Sequence, residues 1–238
     1  MEPHPEWSFN GVRLTESEYV KYLGVTLSSS KPNEHVESRI NACRRAFYAL
    51  HGAGFSNTTT DSNVLTYVWN AAIRPVLTYG INCMKISKPA LSKMEKTQSR
   101  LLKVGFGLNK FCKSTPILNA VNVLKIESSL EISSLDLIRS IFHNGSRARS
   151  FYMYLMNMHV CGKLKGHSDL ILRAYNICVK HDISITRYIF DKVYSTTVRS
   201  GLRKCYNVPD GLTDSVRQLL LSNDPYNRYI LNMLLIPF

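Results

Sequence analysis

Two-metal nucleotidyl transfer needs paired carboxylates that hold both cations a few ångströms apart, and nowhere in this chain do two acidic residues stand side by side. Cys161, His167, Cys178 and His181 come nearest to a zinc set, with Cys178 and His181 on one helix face. Their spacing is that of no zinc finger or knuckle, so no metal site is expected. Gly105-Phe106-Gly107 lacks the further glycine and the flanking strand of a phosphate loop, and no serine or cysteine nucleophile has a persuasive partner. No catalytic residue is therefore assigned. What remains is the chemistry of fixed cations. Between Ser62 and Ile126 the only acid is Glu95, against Arg74, Lys85, Lys88, Lys93, Lys96, Arg100, Lys103, Lys110, Lys113 and Lys125. Side chains of one sign gathered this way attract a polyanion. Lys88, Lys93, Lys96, Arg100, Lys103, Lys110 and Lys113 are the candidate phosphate contacts.

Most of these residues sit on one expected helix. Ser87 caps it, Pro89 fits its first turn, and Gly105 and Gly107 end it. At 100° per residue Leu91, Met94, Leu101 and Leu102 share one arc while Lys93, Lys96, Arg100 and Lys103 share the opposite one. The apolar arc anchors the helix, and all four charged heads are expected in solvent.

The surrounding elements follow from local pattern. Trp7, Phe9, Val12 and Leu14 alternate about Asn10-Gly11, the dipeptide of a type I′ hairpin turn. Tyr19 to Leu27 reads as one more strand, with Gly24 marking a bulge or a close approach. Two or three strands are thus expected before Ser28, with no strand pair after Ser87. Val36, Ile40, Cys43, Phe47 and Leu50 paint one face of a helix from Asn33 to the Gly52-Ala53-Gly54 stop. Thr60-Asp61 caps a second helix in which Pro75 predicts a kink at Arg74 or two abutting helices, with Trp69 and Tyr79 in the core. From Ser114 the chain reads as successive helices: 117–124, 130–143, 151–158, 170–180, 183–203, 213–221 and 226–235. His143 to Ser146 and Gly162 to Ser168 are the linker candidates, and the run Phe151 to Met156 is read as core.

The chain has 238 residues, 30 Lys+Arg and 17 Asp+Glu, a formal charge of +13. That balance favours nucleic acid or another acidic surface. Its uncharged runs are too short to span a bilayer, so no membrane partner is expected. Six cysteines stand far apart with no signal peptide before them, which fits a reducing intracellular compartment, nucleus or cytoplasm.

Taken in order, the Asn10-Gly11 hairpin, Lys21-Tyr22-Leu23-Gly24-Val25, Glu34-His35-Val36 and Ile73-Arg74-Pro75-Val76-Leu77-Thr78-Tyr79-Gly80 resemble the reverse transcriptases of non-LTR (LINE-type) retrotransposons. The resemblance covers Trp7 to Ile126 and only the C-terminal part of that family, with Tyr22, Leu23, Gly24, Pro75, Tyr79 and Gly80 as its structural motif residues. It implies a mainly α chain: a short β element as the remnant edge of the palm (residues 1–30), a helical thumb-like bundle (31–145) and a C-terminal helical region (146–238). It also implies that the catalytic carboxylates and their divalent metal belong to the complete family enzyme. This chain is then expected to hold no cofactor, to extend no primer alone, and to bind RNA or DNA as a template-primer duplex. The alternatives are a helical protein-interaction module, or a transposon relic with no retained role. Binding that falls steeply with salt separates the first reading from the second.

Overall fold

The computed structural model describes residues 8–13, 17–28, 31, 33–56, 58–84, 86–144, 146–160, 169–208, 212–222 and 225–236. Trp7, Leu14, Lys85, Cys161, His167 and the linker expected at Gly162 to Ser168 lie outside them.

The chain is mainly α, with a short N-terminal β element. β1 (Ser8–Phe9) pairs antiparallel with β2 (Val12–Arg13) across Asn10-Gly11, whose φ angles of 50° and 78° are those of the expected turn. β3 (Tyr19–Tyr22) pairs antiparallel with β4 (Val25–Ser28), so the single strand expected from Tyr19 to Leu27 is a second hairpin. Its turn is Leu23-Gly24 at φ 47° and 78°. Gly24 is thus a turn residue, not a bulge. A leucine forced to positive φ costs about 1 kcal/mol, which is why the sequence pattern does not announce this turn. The two hairpins form separate sheets, and no strand follows β4 among the described residues.

α1 (Glu34–Gly52) buries Val36, Ile40, Cys43 and Phe47, the stripe read from the sequence. α2 (Ser62–Val68) starts where the Asp61 side chain accepts the Asn63 N–H, and it runs through a π-helical turn (Trp69–Ile73) into α3 (Arg74–Thr78). The π turn is the answer to Pro75. Proline has no N–H to give and crowds the carbonyl one turn back; the wider turn, in which Arg74 N–H reaches the Trp69 carbonyl, accommodates both. A 3₁₀ turn (Ile81–Cys83) leads to α4 (Lys88–Gly105), capped by Ser87 accepting from Ala90 N–H at 3.3 Å.

The remaining helices are α5 (Ser114–Ala120), α6 (Ile126–Asn144), α7 (Ser146–Val160), α8 (Asp169–Lys180), α9 (Ile185–Phe190), α10 (Lys192–Tyr206), α11 (Thr213–Leu221) and α12 (Pro225–Leu235). The helix expected over 183–203 divides at Asp191, whose carboxylate accepts the Tyr194 N–H at 2.9 Å and so begins α10.

Buried side chains sort into two clusters. The first joins α1 to α5 and the start of α6 to Val216 and Leu220 of α11 and to Leu231 and Leu235 of α12. Ser62 donating to the Leu220 carbonyl at 2.6 Å and Arg217 donating to the Ala120 carbonyl at 3.0 Å fix the same junction. The second cluster holds the rest of α6 with α8, α9 and α10, through Leu135, Ile138, Phe142, Ala174, Ile177, Tyr188, Ile189 and Leu202. α11 and α12 therefore pack on the first cluster. Within the run Phe151 to Met156, read as core, Phe151, Met153 and Tyr154 are exposed and Tyr152 packs on the second cluster.

A polar network ties the second cluster together. His181 Nε2 lies 2.7 Å from the Tyr206 hydroxyl, which donates to Glu131, and Lys180 pairs with the same carboxylate at 3.2 Å. Burial and the Glu131 carboxylate both raise the Tyr206 phenol. Changing Tyr206 to Phe removes a hydrogen bond to a charged group and should cost about 1.5 to 3 kcal/mol. A lower urea midpoint at unchanged slope is the expected reading; an unchanged midpoint would show the network to be idle.

Candidate nucleic-acid interface

α4 positions most of the candidate phosphate contacts. Its inner face buries Met94, Thr97, Gln98, Leu101 and Leu102, with Leu91 half-buried. Thr97 and Gln98 are polar and were not read as core. Thr97 donates to the Lys93 carbonyl, and Gln98 Nε2 and Arg74 both donate to the Leu124 carbonyl, at 3.0 and 3.1 Å, while Gln98 Oε1 has no partner among the described residues. Arg74 is thus a half-buried tie between α3 and the chain just before α6, not a free cation.

The stripe itself divides. Lys96 and Arg100 are exposed, as expected, and so is Lys88. Lys93 is exposed too, but its ammonium pairs with Glu37 of α1 at 2.5 Å. Sequence reasoning named Glu95 as the one acid available to neutralise the stripe. Glu37 was missed because it lies 56 positions away in the chain, and only tertiary packing brings α1 against α4. Glu95 instead accepts the Glu127 N–H at 3.0 Å at the start of α6. Burial raises its carboxyl, and hydrogen bonds from the Glu127 and Ile126 amides oppose that rise.

Lys103 departs furthest from expectation. It was placed among the solvated heads and is only 8% exposed. Its Nζ donates to the Lys110 carbonyl at 3.2 Å, and burial lowers its pKa. The chain after Gly107 turns back along α4, covers the Lys103 stem and creates an open groove of about 690 Å³. Lys96, Arg100, Lys103 and Lys110 line it, together with Ser92, Ser99, Ser114 and Glu95. Among the described residues no carboxylate forms an ion pair with any of those four cations.

The far wall is held from the C-terminal end. Asn232 of α12 accepts the Asn109 N–H at 2.7 Å and the Cys112 thiol at 3.3 Å through one oxygen, and Lys113 N–H donates to the Leu235 carbonyl at 2.8 Å. Nothing in the local sequence around Asn232 signals this role. Lys110 and Lys113 stay exposed, with the Lys110 ammonium 4.9 Å from the Phe111 ring centroid.

The motif residues meet at a second place, where the β3–β4 hairpin joins the helices. His35 is fully buried; its Nε2–H donates to the Tyr79 carbonyl at 2.8 Å and its Nδ1 accepts the Thr26 N–H at 3.2 Å. The Tyr79 hydroxyl donates to the Leu23 carbonyl at 2.8 Å. Gly80 has φ 73°, and a Cβ there would stand 2.6 Å from Val25 Cγ2 and 3.0 Å from His35 Nε2, so no other residue fits. Tyr79, expected in the core, is 49% exposed and carries the Arg39 guanidinium 5.8 Å from its ring centroid. Tyr22 and Leu23 are exposed, and Pro75 sits just past the π turn.

Cys178 and His181, half of the set weighed for zinc, have other surroundings. Cys178 packs in the second core, where burial pushes its thiol up to about 11, and His181 contacts Tyr206. Among the described residues no helix is long and apolar enough to cross a membrane. No family model matches the chain, and no curated protein or solved structure is significantly similar to it.

Proposed function

We propose that the groove along α4 binds the sugar-phosphate backbone of a nucleic-acid duplex, a template-primer duplex if the chain is the thumb and C-terminal part of a LINE-type reverse transcriptase. The observation that carries this reading is four basic side chains lining one open groove without an ion-pair partner among the described residues. Lysine and arginine there neutralise phosphates and release counterions without reading bases. The meeting of Tyr22-Leu23-Gly24, His35 and Tyr79-Gly80 at one junction supports the resemblance, because a shared packing reason explains why these separated pieces occur together. The isolated chain extends no primer in this reading.

The test is binding of a duplex of about 20 base pairs, followed by fluorescence anisotropy over a range of salt. Three or four phosphate contacts give a log-log slope of about −3 to −4. Affinity that is absent, or that ignores salt, would sink the reading.

One observation favours a protein partner instead. Phe9, Val12, Tyr19, Val20, Tyr22, Leu23 and Leu27 are large apolar residues left exposed on two-stranded hairpins. Such hairpins are marginal alone, and exposed apolar side chains of this size are what a protein surface would bury. In the first reading the same hairpins belong against a larger sheet.

A further inference from the structure

We propose that Lys103 is the floor of a seat for a single phosphate group within the α4 groove. This deepens the nucleic-acid reading and rests on the groove being phosphate-binding. It adds that one position is a defined pocket for a phosphoryl group, whether that group belongs to a polynucleotide backbone or to a small free phosphate.

The argument begins with the hydrogen-bond count at Nζ. An ammonium has three N–H donors. At Lys103 one of them is met among the described residues, by the Lys110 carbonyl at 3.2 Å. The residue is only 8% exposed, yet it lines the open groove, so the donors the protein leaves unmet can be met by acceptors that enter there. Burial lowers its pKa accordingly, with Cys112 the neighbour that opposes the shift. A phosphate in the groove offers the oxygens that are wanting. The groove's volume of about 690 Å³ leaves ample room, and Lys96, Arg100 and Lys110 supply the countercharge from its sides. Ser92, Ser99 and Ser114 add neutral donors.

The seat is also fixed in place. The carbonyl that holds Lys103 belongs to a loop clamped by α12 through Asn232 and Leu235. Lys88 and Lys96, the exposed lysines of α4 without an ion-pair partner among the described residues, have hydrated heads on unanchored stems, so each gives a diffuse contact. A charge withdrawn from water interacts more strongly with an anion than an exposed one does.

The probe is inorganic pyrophosphate, titrated into the full chain by calorimetry and observed by ³¹P NMR. Saturable one-to-one binding is expected. Lys103→Met, which keeps the apolar stem, should weaken it about tenfold or more, the worth of a hydrogen bond to a charged group. Lys192→Ala on α10 removes the same charge elsewhere and should leave it unchanged. Arg100→Ala, at an exposed position that folding tolerates, should weaken it about threefold and keeps the test open if Lys103→Met fails to fold. Competition between pyrophosphate and the duplex assigns the seat to a backbone phosphate. Simultaneous binding that still depends on Lys103 assigns it to a free phosphate. Absence of pyrophosphate binding, or binding indifferent to Lys103 and Arg100, overturns the seat. If the duplex then still binds with its salt slope, the nucleic-acid reading stands without the seat; if pyrophosphate binds through Lys103 and the duplex does not, that reading fails alone.

Discussion

Changing His35 to Ala is expected to lower stability by about 3 to 5 kcal/mol. The imidazole is fully buried between the β3–β4 hairpin and the end of α3, and both ring nitrogens are used. Alanine leaves the Thr26 N–H and the Tyr79 carbonyl without their partner, at about 1 to 3 kcal/mol for each group that water cannot reach, and it opens a cavity besides. Gly80 presents no side chain to fill that cavity, and Val25 already packs against Gly80. Tyr79→Phe is the contrasting case. It removes only the hydroxyl contact with the Leu23 carbonyl, near the surface, and should cost about 0.5 to 1.5 kcal/mol.

The same site gives a pH dependence with a fixed sign. Burial lowers the His35 pKa, the hydrogen bond with Tyr79 raises it, and the Arg39 guanidinium lowers it. The net shift is downward from 6.5, so the unfolded chain takes up a proton at a pH where the folded chain does not. The contribution is fully present above about pH 6.5 and is lost as pH falls below it, at up to about 1.4 kcal/mol per unit until the folded-state pKa is reached. Protonation also takes the lone pair from Nδ1, which the Thr26 N–H needs. Urea midpoints of the parent and of His35→Ala at pH 7.5 and pH 5.5 measure this. The gap between them should narrow at the lower pH; a constant gap would show that His35 does not titrate on unfolding.

Much of this architecture was legible because its determinants are local. The Asn10-Gly11 turn, the Asp61 and Ser87 caps and the α1 stripe each depend on residues within a turn or two of one another. Pro75 announced an interruption but not its form, since π and kinked geometries both answer a missing N–H. The Leu23-Gly24 turn was hidden because leucine pays a steric penalty there, and the pattern sees only another apolar residue. The candidate site was half legible. A helical wheel places Lys93, Lys96, Arg100 and Lys103 on one side of α4, yet it is blind to what packs against that side. Glu37 takes Lys93, the returning chain covers Lys103, and α12 fixes the wall through Asn232. Each of these is a contact between residues distant in the chain or outside the helix, and no periodicity encodes it.

Those contacts decide where the largest effect on binding should fall. A Lys96→Ala/Arg100→Ala double variant is expected to reduce the log-log salt slope for duplex binding by about 2, at about 0.9 for each phosphate contact removed. Both side chains line the groove, both are exposed, and neither has an ion-pair partner among the described residues, so their charge is available to an external anion. Affinity near 0.1 M salt should fall roughly ten- to hundredfold, and equally for duplexes of different sequence, since phosphate contacts carry no base information. Folding stability should move by no more than about 0.5 kcal/mol, because neither substitution touches the core. Lys93→Ala separates this reading from a uniform lysine face. Lys93 is spent on Glu37 at 2.5 Å and stands outside the groove lining, so its removal should change the slope by much less than one contact. A slope that falls equally for Lys93→Ala and for either groove residue would mean that α4 binds anions along its whole exposed side. A slope unmoved by the double variant would show that duplex binding takes place elsewhere on this +13 chain.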